Sequence, residues 1–206
     1  MTTDNKVVYS KWIKKGTNTF IPTDNSQILK MVDAGLYDLR LSDGIGFYMV
    51  KRELFLDELL EFPSKIHRTV LSSIKDFWTR KGKFKEYKFA FKRGILLHGR
   101  PGSGKSCIIS LCMKYVIDEL NGVVIPLQGG SDLELYSKFI PEIFRVIERD
   151  RPIVIIFEDI ENMCSHVSSG TESLLLNVLD GLDQLENVIY LATTNYIELL
   201  KERIIN

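Results

Sequence analysis

The sequence has little cysteine, no excess of charge of either sign and no long apolar run. Its 206 residues include 27 lysines and arginines and 27 aspartates and glutamates, so the formal net charge is zero. This balance does not indicate a nucleic-acid or acidic-membrane partner. The three cysteines are an odd number, which predicts free thiols in a reducing cytosol. No apolar segment approaches the ~20 residues of a membrane span, and the polar amino terminus lacks a signal-peptide core, so we expect a soluble, cytoplasmic protein.

Residues 99–106, GRPGSGKS, match the pattern G-x-x-x-x-G-K-[ST] at every defined position. The apolar run at 94–98 predicts a strand entering this loop, and residues 106–120 predict a helix leaving it. Such a context favours a phosphate-binding loop over a Gly- and Ser-rich turn that binds nothing. The sequence therefore predicts a nucleoside triphosphate site. The residues assigned to it are Gly99, Arg100, Pro101, Gly102, Ser103, Gly104, Lys105, Ser106 and Cys107.

The residue types of this loop fit the chemistry of phosphate binding. Glycines let consecutive backbone N–H groups approach phosphate oxygens that side chains would block. Lys105 supplies a mobile positive charge for the β- and γ-phosphates, and Ser106 offers a hydroxyl to Mg²⁺. The helix that follows adds about half a unit of positive charge at its amino terminus.

Three regions are distinguished along the chain. Residues 1–62 predict a small α/β amino-terminal module, residues 63–93 a helix and linker, and residues 94–206 the nucleotide-binding core. Within the first region, alternating apolar and polar residues at 36–41 and 45–49 flank an Asp-Gly turn and predict a β-hairpin.

Two helices are predicted between this hairpin and the core. The first covers residues 54–62 and ends before Pro63. The second is amphipathic, with its apolar side chains at helical spacing. These side chains are Ile66, Val70, Ile74, Phe77 and Trp78.

From residue 94 onward, strands and helices alternate, which predicts an α/β fold: a P-loop three-layer sandwich with a mostly parallel sheet. Each predicted strand is a near-continuous apolar run, suited to a sheet that is buried on both faces. Right-handed crossovers would place the phosphate loop at the carboxyl ends of the strands. The predicted strands are 95–98, 123–127, 153–157 and 188–193, and residues 140–147 predict a further helix.

Carboxylates follow the third of these strands directly. Residues 153–157 run into Glu158 and Asp159, which is the Walker B arrangement. One acid would help to hold Mg²⁺, and its neighbour could orient or deprotonate the attacking water. The alternative is that both acids mark the solvated end of a strand. The last strand ends at Asn195, which places an amide at the same sheet edge.

Together these features resemble the AAA+ ATPases, over residues 84 to 206. Residues 93–99 are similar to the lead-in to the Walker A loop of that family, residues 175–181 to its leucine-aspartate-glycine signature, and Asn195 falls at its sensor-1 position. The Glu-Asp order at 158 and 159, together with residues 177–181 (NVLDG) and 193–195 (TTN), is most similar to the Bcs1-like branch of AAA proteins.

The resemblance implies an ATPase that uses ATP and Mg²⁺. By it, Ser106 and Glu158 would hold the metal, Asp159 would activate water, and Lys105 and Asn195 would contact the γ-phosphate. It also implies a homo-oligomeric ring, a hexamer or heptamer, which couples hydrolysis to the remodelling of a macromolecule, in the first instance a protein.

The sequence also departs from the family. Residues 128–132 lack the aromatic-hydrophobic-glycine pore loop of threading unfoldases, and the chain has no membrane-spanning segment. The arginine-finger segment, fifth strand and helical lid would follow residue 206. We therefore expect a truncated core that binds nucleotide and hydrolyses it poorly, since such an arginine contributes about 10³ to 10⁵ in rate.

Two other functions stay open: a DNA-acting, loader-type ATPase and a nucleotide-gated assembly module with little turnover. Residues 80–93 interleave bases with aromatics, as a single-strand-binding segment would, but a linker whose aromatics pack onto the core is favoured because the overall charge is balanced. Cys164 and His166 lack a matching pair for a metal site. His98 and His67 receive no catalytic role.

Overall fold

The computed structural model describes residues 11–23, 29–54, 65–165, 169–180 and 185–201. Within these residues the chain forms eight strands and seven helices. The strands are β1 (Lys11–Lys15), β2 (Thr19–Thr23), β3 (Gly35–Ser42), β4 (Gly46–Arg52), β5 (Lys92–His98), β6 (Val123–Leu127), β7 (Ile153–Phe157) and β8 (Val188–Thr194). The helices are α1 (Lys65–Thr79), α2 (Lys81–Glu86), α3 (Lys105–Asp118), α4 (Gly130–Val146), α5 (Ile160–Ser165), α6 (Ser169–Asp180) and α7 (Ile197–Lys201).

All eight strands lie in one sheet, in the order β1-β2-β4-β3-β6-β7-β8-β5. The pairings among β6, β7, β8 and β5 are parallel, and so is the pairing of β3 with β6. The alternation of strand and helix from residue 94 produces this arrangement, because consecutive parallel strands need a crossover between them. The predicted P-loop α/β fold with a mostly parallel sheet is confirmed.

The amino-terminal strands extend this same sheet. The predicted hairpin is confirmed as β3 and β4, which pair from Leu36↔Arg52 to Ser42↔Gly46. A second hairpin, β1 and β2, was not predicted. Strand β3 joins the core through its pairing with β6, at Gly35↔Val123 and Leu36↔Val124. The predicted helix at 54–62 lies, except for its first residue, outside the described residues.

The central strands alternate their side chains between two apolar clusters. Val124, Val154 and Ile189 point to a cluster formed with α1 and α3. Val123 and Ile155 point to the opposite cluster, formed with α4, α5, α6 and the amino-terminal strands. Both faces of β6, β7 and β8 are therefore covered, as their apolar sequences predict.

Strand β5 departs from that prediction because it lies at the edge of the sheet. Only Leu97 of this strand is buried, whereas Arg93, Gly94 and His98 are exposed. No described strand pairs with its outer side. An apolar run of four residues predicts a strand correctly but does not report the position of that strand in the sheet.

Helix α1 confirms the second predicted helix with one correction. Ile66, which the prediction assigns to the apolar face, is 70% exposed, whereas His67 is 8% exposed. The buried stripe passes through His67, Val70, Ile74 and Phe77, whose spacing of three and four residues keeps them on one face. Ile66 lies beside this stripe and faces solvent.

The segment after α1 packs partly onto the core, as predicted for a linker. Phe91 stacks on Phe77 with ring centroids 4.3 Å apart, and Phe84 meets Phe91 edge-on at 5.1 Å. Trp78 contacts both Phe77 and Phe91. This aromatic group fixes the start of β5 against the carboxyl half of α1.

A buried ion pair connects the amino-terminal region to the end of α4. Glu148 accepts a hydrogen bond from the backbone N–H of Val32 at 2.7 Å and lies 3.4 Å from the guanidinium of Arg151. Burial raises the pKa of Glu148, and the Val32 amide and Arg151 oppose that rise.

None of the described helices is both long and apolar enough to cross a bilayer.

Candidate nucleotide-binding site

The carboxyl ends of β5, β7 and β8 meet at one edge of the sheet. The register pairs His98 with Thr194 and Phe157 with Ala192, so the three strands end at nearly the same level. The loops that follow them enclose a cavity of about 410 Å³. The cavity is lined by Pro101, Gly102, Ser103, Gly104, Lys105, Ser106, Cys107, Glu158, Asp159, Thr193 and Asn195.

Most of the predicted site residues line this cavity. The exceptions are Gly99 and Arg100, whose carbonyl oxygens instead accept hydrogen bonds from Nζ of Lys105 at 2.6 and 3.2 Å. Both residues therefore shape the loop and hold its lysine. Thr193 lines the cavity without having been predicted; its position at the end of a strand that leads to Asn195 was the available signal.

The two cysteines of α3 differ in their exposure. Cys107 and Cys112 are both free thiols, as predicted. Cys107 lines the cavity, whereas Cys112 is completely buried and burial raises the pKa of its thiol to about 12. The side chain of Cys164 lies outside the described residues.

The phosphate loop ends at Gly104, which is the N-cap of α3 and has φ 86°. This left-handed conformation is one that glycine adopts without the steric penalty of other residues. It turns the chain so that the first turn of α3, which begins at Lys105, opens onto the cavity. Its unpaired backbone N–H groups can then donate to an anion.

Helix α1 contacts the loop at the same glycine. A Cβ atom on Gly104 would collide with Nε2 of His67 and lie 3.0 Å from its Cε1. The buried imidazole therefore packs directly against the backbone at the start of α3. Sequence reasoning gave His67 no role, because nothing in its local pattern indicates contact with a loop 37 residues away.

Three predicted site residues form a hydrogen-bonded chain across the cavity. Nζ of Lys105 donates to Oδ1 of Asn195 at 2.8 Å, and Nδ2 of Asn195 donates to Oδ1 of Asp159 at 3.1 Å. The amide of Asn195 uses its acceptor toward the cation and its donor toward the carboxylate, which fixes its orientation. The phosphate-loop lysine and the strand-end acid are thus connected through Asn195.

Asp159 has an unusual backbone conformation. Its φ is 46°, in the left-handed region, and its N–H donates to Oγ1 of Thr193 at 3.0 Å. Aspartate and asparagine tolerate this conformation better than other non-glycine residues. The neighbouring Glu158 is exposed and lines the cavity. The two adjacent carboxylates therefore take different positions at the end of β7.

Glu161 is a site residue that sequence reasoning missed. It is 5% exposed, and its Oε1 accepts a hydrogen bond from the backbone N–H of Asn195 at 3.0 Å. Glu161 lies in the first turn of α5 and holds the backbone of Asn195, while the side chain of Asn195 bonds to Lys105 and Asp159. The available signal was an acid two residues after Asp159, separated from it by the buried Ile160.

The donor atoms of the cavity suit a hard divalent cation. Ser106 offers a hydroxyl and Glu158 a carboxylate, and Mg²⁺ is commonly held by one or two such oxygens together with substrate phosphates and water. The described part of the chain contains no group of three or more His, Cys, Asp or Glu side chains placed to bind a metal by themselves. A cation at this site would complete its ligand shell with phosphate and water.

Residues 95–206 match the model of the ATPase family associated with various cellular activities, AAA. This match covers more than half of the chain and includes the phosphate loop, both carboxylates and Asn195. The chain belongs to the AAA family of ATPases. The predicted resemblance to AAA+ ATPases is thereby confirmed at the level of the family.

Individual AAA proteins are similar to this chain over parts of its length. A cell division cycle protein 48 homolog of Archaeoglobus fulgidus is 36% identical over 115 residues, 50% of this chain and 15% of that protein. A proteasome-activating nucleotidase of Aeropyrum pernix is 34% identical over 134 residues, 57% of this chain and 31% of that protein. An AAA ATPase forming ring-shaped complexes, of Rothia mucilaginosa, is 31% identical over 146 residues, 57% of this chain and 23% of that protein. The chain thus spans less than a third of each of these relatives.

The contact between His67 and Gly104 predicts a specific coupling between α1 and the phosphate loop. Gly104→Ala should destabilise the protein more than Gly102→Ala, because both glycines have positive φ but a Cβ at Gly102 would meet nothing within 4 Å. We expect about 1 to 2 kcal/mol for the strain at either site and roughly 1 to 3 kcal/mol more for overpacking at Gly104.

Urea unfolding of His67→Ala, Gly104→Ala and the double variant measures this coupling. Removal of the imidazole should cancel most of the additional loss at Gly104. Strictly additive effects would contradict the contact.

The hydrogen bond from Asn195 to Glu161 predicts that Glu161 is a positioning residue for hydrolysis. Glu161→Ala should lower kcat of ATP hydrolysis by about 10- to 100-fold with KM nearly unchanged, because Asn195 would lose the acceptor that fixes its backbone. Glu161→Gln keeps a carbonyl oxygen at the same place and should retain most of the activity. Equal losses in both variants, measured by steady-state kinetics, would show that the charge and not the acceptor matters.

Proposed function

We propose that this chain binds ATP with Mg²⁺ in the cavity at the end of β5, β7 and β8, and hydrolyses it to remodel another macromolecule. The observation that carries this proposal is the hydrogen-bonded chain from Lys105 through Asn195 to Asp159. A lysine of this kind contacts a γ-phosphate, and a carboxylate of this kind acts on the attacking water. The side-chain amide of Asn195 bridges the two.

In this proposal the loop between Gly99 and Gly104 and the first turn of α3 cradle the phosphates. Lys105 already has two loop carbonyls and Asn195 as partners, and it would exchange some of these bonds for phosphate oxygens. Ser106 and Glu158 would hold Mg²⁺, which, when bound, neutralises charge on the β- and γ-phosphates. Adenine recognition is inferred from the family alone.

Asp159 is proposed as the residue that orients or deprotonates the attacking water. Its left-handed backbone and its bonds to Thr193 and Asn195 hold the carboxylate at the wall of the cavity. Asn195 would contact the γ-phosphate, because its side-chain amide lies between Lys105 and Asp159. Glu158, which precedes Asp159, makes none of these contacts in the described structure, lines the same cavity and would be available to the metal.

The larger function is proposed from the relatives. One of them is named as forming ring-shaped complexes and another as activating a proteasome, which supports a ring that acts on a protein. That the ring is a homo-oligomer, a hexamer or heptamer, is what the family resemblance implies. Assignment to the Bcs1-like branch rests on the Glu158-Asp159 order with residues 177–181 and 193–195. The substrate itself is not identified by these residues.

The division of roles between the two carboxylates is testable by isosteric amides. Asp159→Asn keeps the left-handed backbone and should bind ATP normally while kcat falls by about 10² to 10⁴. Glu158→Gln should instead raise the Mg²⁺ concentration needed for half-maximal turnover. Lys105→Ala serves as the control that loses nucleotide binding. Calorimetric ATP binding beside steady-state hydrolysis separates these cases, and full turnover by Asp159→Asn would overturn the assignment.

Ring-dependent hydrolysis predicts that this chain by itself binds ATP and turns it over slowly. None of its 206 residues matches the arginine that, by the family resemblance, a neighbouring subunit inserts into each site, and such an arginine contributes about 10³ to 10⁵ in rate. Hydrolysis rates across a dilution series, with sedimentation to follow assembly, should therefore stay low at every protein concentration. A rate per subunit that rises with concentration as an oligomer forms would contradict this prediction.

A further inference from the structure

The charges of this protein are strongly segregated along the chain. Residues 65–93 contain ten lysines and arginines and only two acidic residues, Asp76 and Glu86, although the whole chain has zero net charge. Nine of the ten basic side chains are exposed, and Lys92 is half-buried. The balanced total therefore conceals a strongly basic surface formed by α1, α2 and the start of β5.

An open groove of about 660 Å³ runs along this surface. Its donors are four cationic side chains and three hydroxyl side chains, with one carboxylate. The lining residues are Lys65, Arg68, Thr69, Ser72, Ser73, Asp76, Arg80 and Arg93. Arg93 is held across the groove by a hydrogen bond from Nη1 to the carbonyl of Ser73 at 3.1 Å. Guanidinium and hydroxyl donors arranged along a groove suit a row of phosphate groups.

The aromatic residues of the same segment separate into two groups. Phe84 and Phe91 pack against Phe77, whereas Tyr87 and Phe89 are 65% and 68% exposed. The two exposed rings lie 6.5 Å apart with an interplanar angle of 31°. Two large exposed rings next to each other, in a segment rich in cations, offer stacking faces to a ligand.

Lys83, Lys85 and Lys88 are sequence neighbours of these two rings. Arg80 and Lys81 have acidic partners, Asp76 at 3.9 Å and Asp150 at 2.9 Å. Within the described residues, Lys83, Lys85 and Lys88 form no ion pair. Lys88 has φ 56° and ends the turn after α2, which places Tyr87 and Phe89 on either side of a bend. The charges of Lys83, Lys85 and Lys88 therefore remain available to an anionic ligand.

We propose that this basic–aromatic surface, formed by Arg68, Arg80, Lys83, Lys85, Tyr87, Lys88, Phe89 and Arg93, binds single-stranded nucleic acid. The groove would take the phosphates and the exposed rings would stack on bases, which is the combination that recognises single strands without reading their sequence. An acidic protein segment could satisfy the lysines, but it would leave the two rings without stacking partners. This site lies outside the ATP cavity and goes beyond the proposed function.

The test is binding of fluorescent oligothymidylate and oligouridylate of about 15 nucleotides, a length within the range of single-strand sites, to the full chain. Tyr87→Ala with Phe89→Ala should weaken binding by at least about fivefold per ring. Lys83→Gln, Lys85→Gln and Lys88→Asn together should lower the slope of log K against log salt by about 2. Asparagine is chosen at 88 because it tolerates the left-handed backbone.

A charge-matched control removes three exposed basic side chains elsewhere: Lys30→Gln, Lys114→Gln and Arg149→Gln. This control should leave affinity and salt slope nearly unchanged. Similar binding of the deoxy and ribo oligomers indicates a general single-strand site, and a preference for one identifies the natural ligand class. Three results would overturn the proposal: binding that the control reduces equally, binding that the ring substitutions leave intact, or polyglutamate competing as well as the oligonucleotides.

Discussion

The parallel pairing of β5, β8 and β7 is the constraint on which the site depends. Because His98 pairs with Thr194 and Phe157 with Ala192, the three strands deliver their following residues to one edge at one level. Lys105, Asn195 and Asp159 are far apart in sequence and become hydrogen-bonded only through that register. A slip of one residue in β8 would turn Asn195 to the other face of the sheet and break both bonds.

Helix α1 connects the phosphate loop to the rest of the molecule. Its buried face carries His67 against Gly104 and continues through Ile74 and Phe77 into the core. Its exposed face carries Arg68, which lines the basic groove. Two adjacent residues of α1 therefore serve different sites: His67 packs against the start of α3, and Arg68 lines the basic groove. The stacking of Phe77 on Phe91 anchors the carboxyl half of α1 to the start of β5.

Sequence reasoning predicted the features that are encoded locally. The four core strands, the loop between β5 and α3 and the β3–β4 hairpin each depend on a short run of residues, and each was located correctly. Features set by distant contacts were not predicted: the exposed edge position of β5, the burial of His67 in place of Ile66, and the support of Asn195 by Glu161. The clustering of basic residues at 65–93 was not apparent from the net charge either, since a whole-chain sum does not report where charges lie.

The backbone of Asp159 offers a physical reason for the Glu-Asp order at the end of β7. A residue with φ 46° must tolerate the left-handed region, where aspartate is favoured over glutamate. The bond from its N–H to Thr193 and the bond from Asn195 to its carboxylate both depend on that conformation. The shorter side chain is therefore matched to a backbone that turns toward the cavity. Glutamate at 159 would add a methylene and strain at the point where position matters most, whereas Glu158 precedes the turn and meets no such restriction.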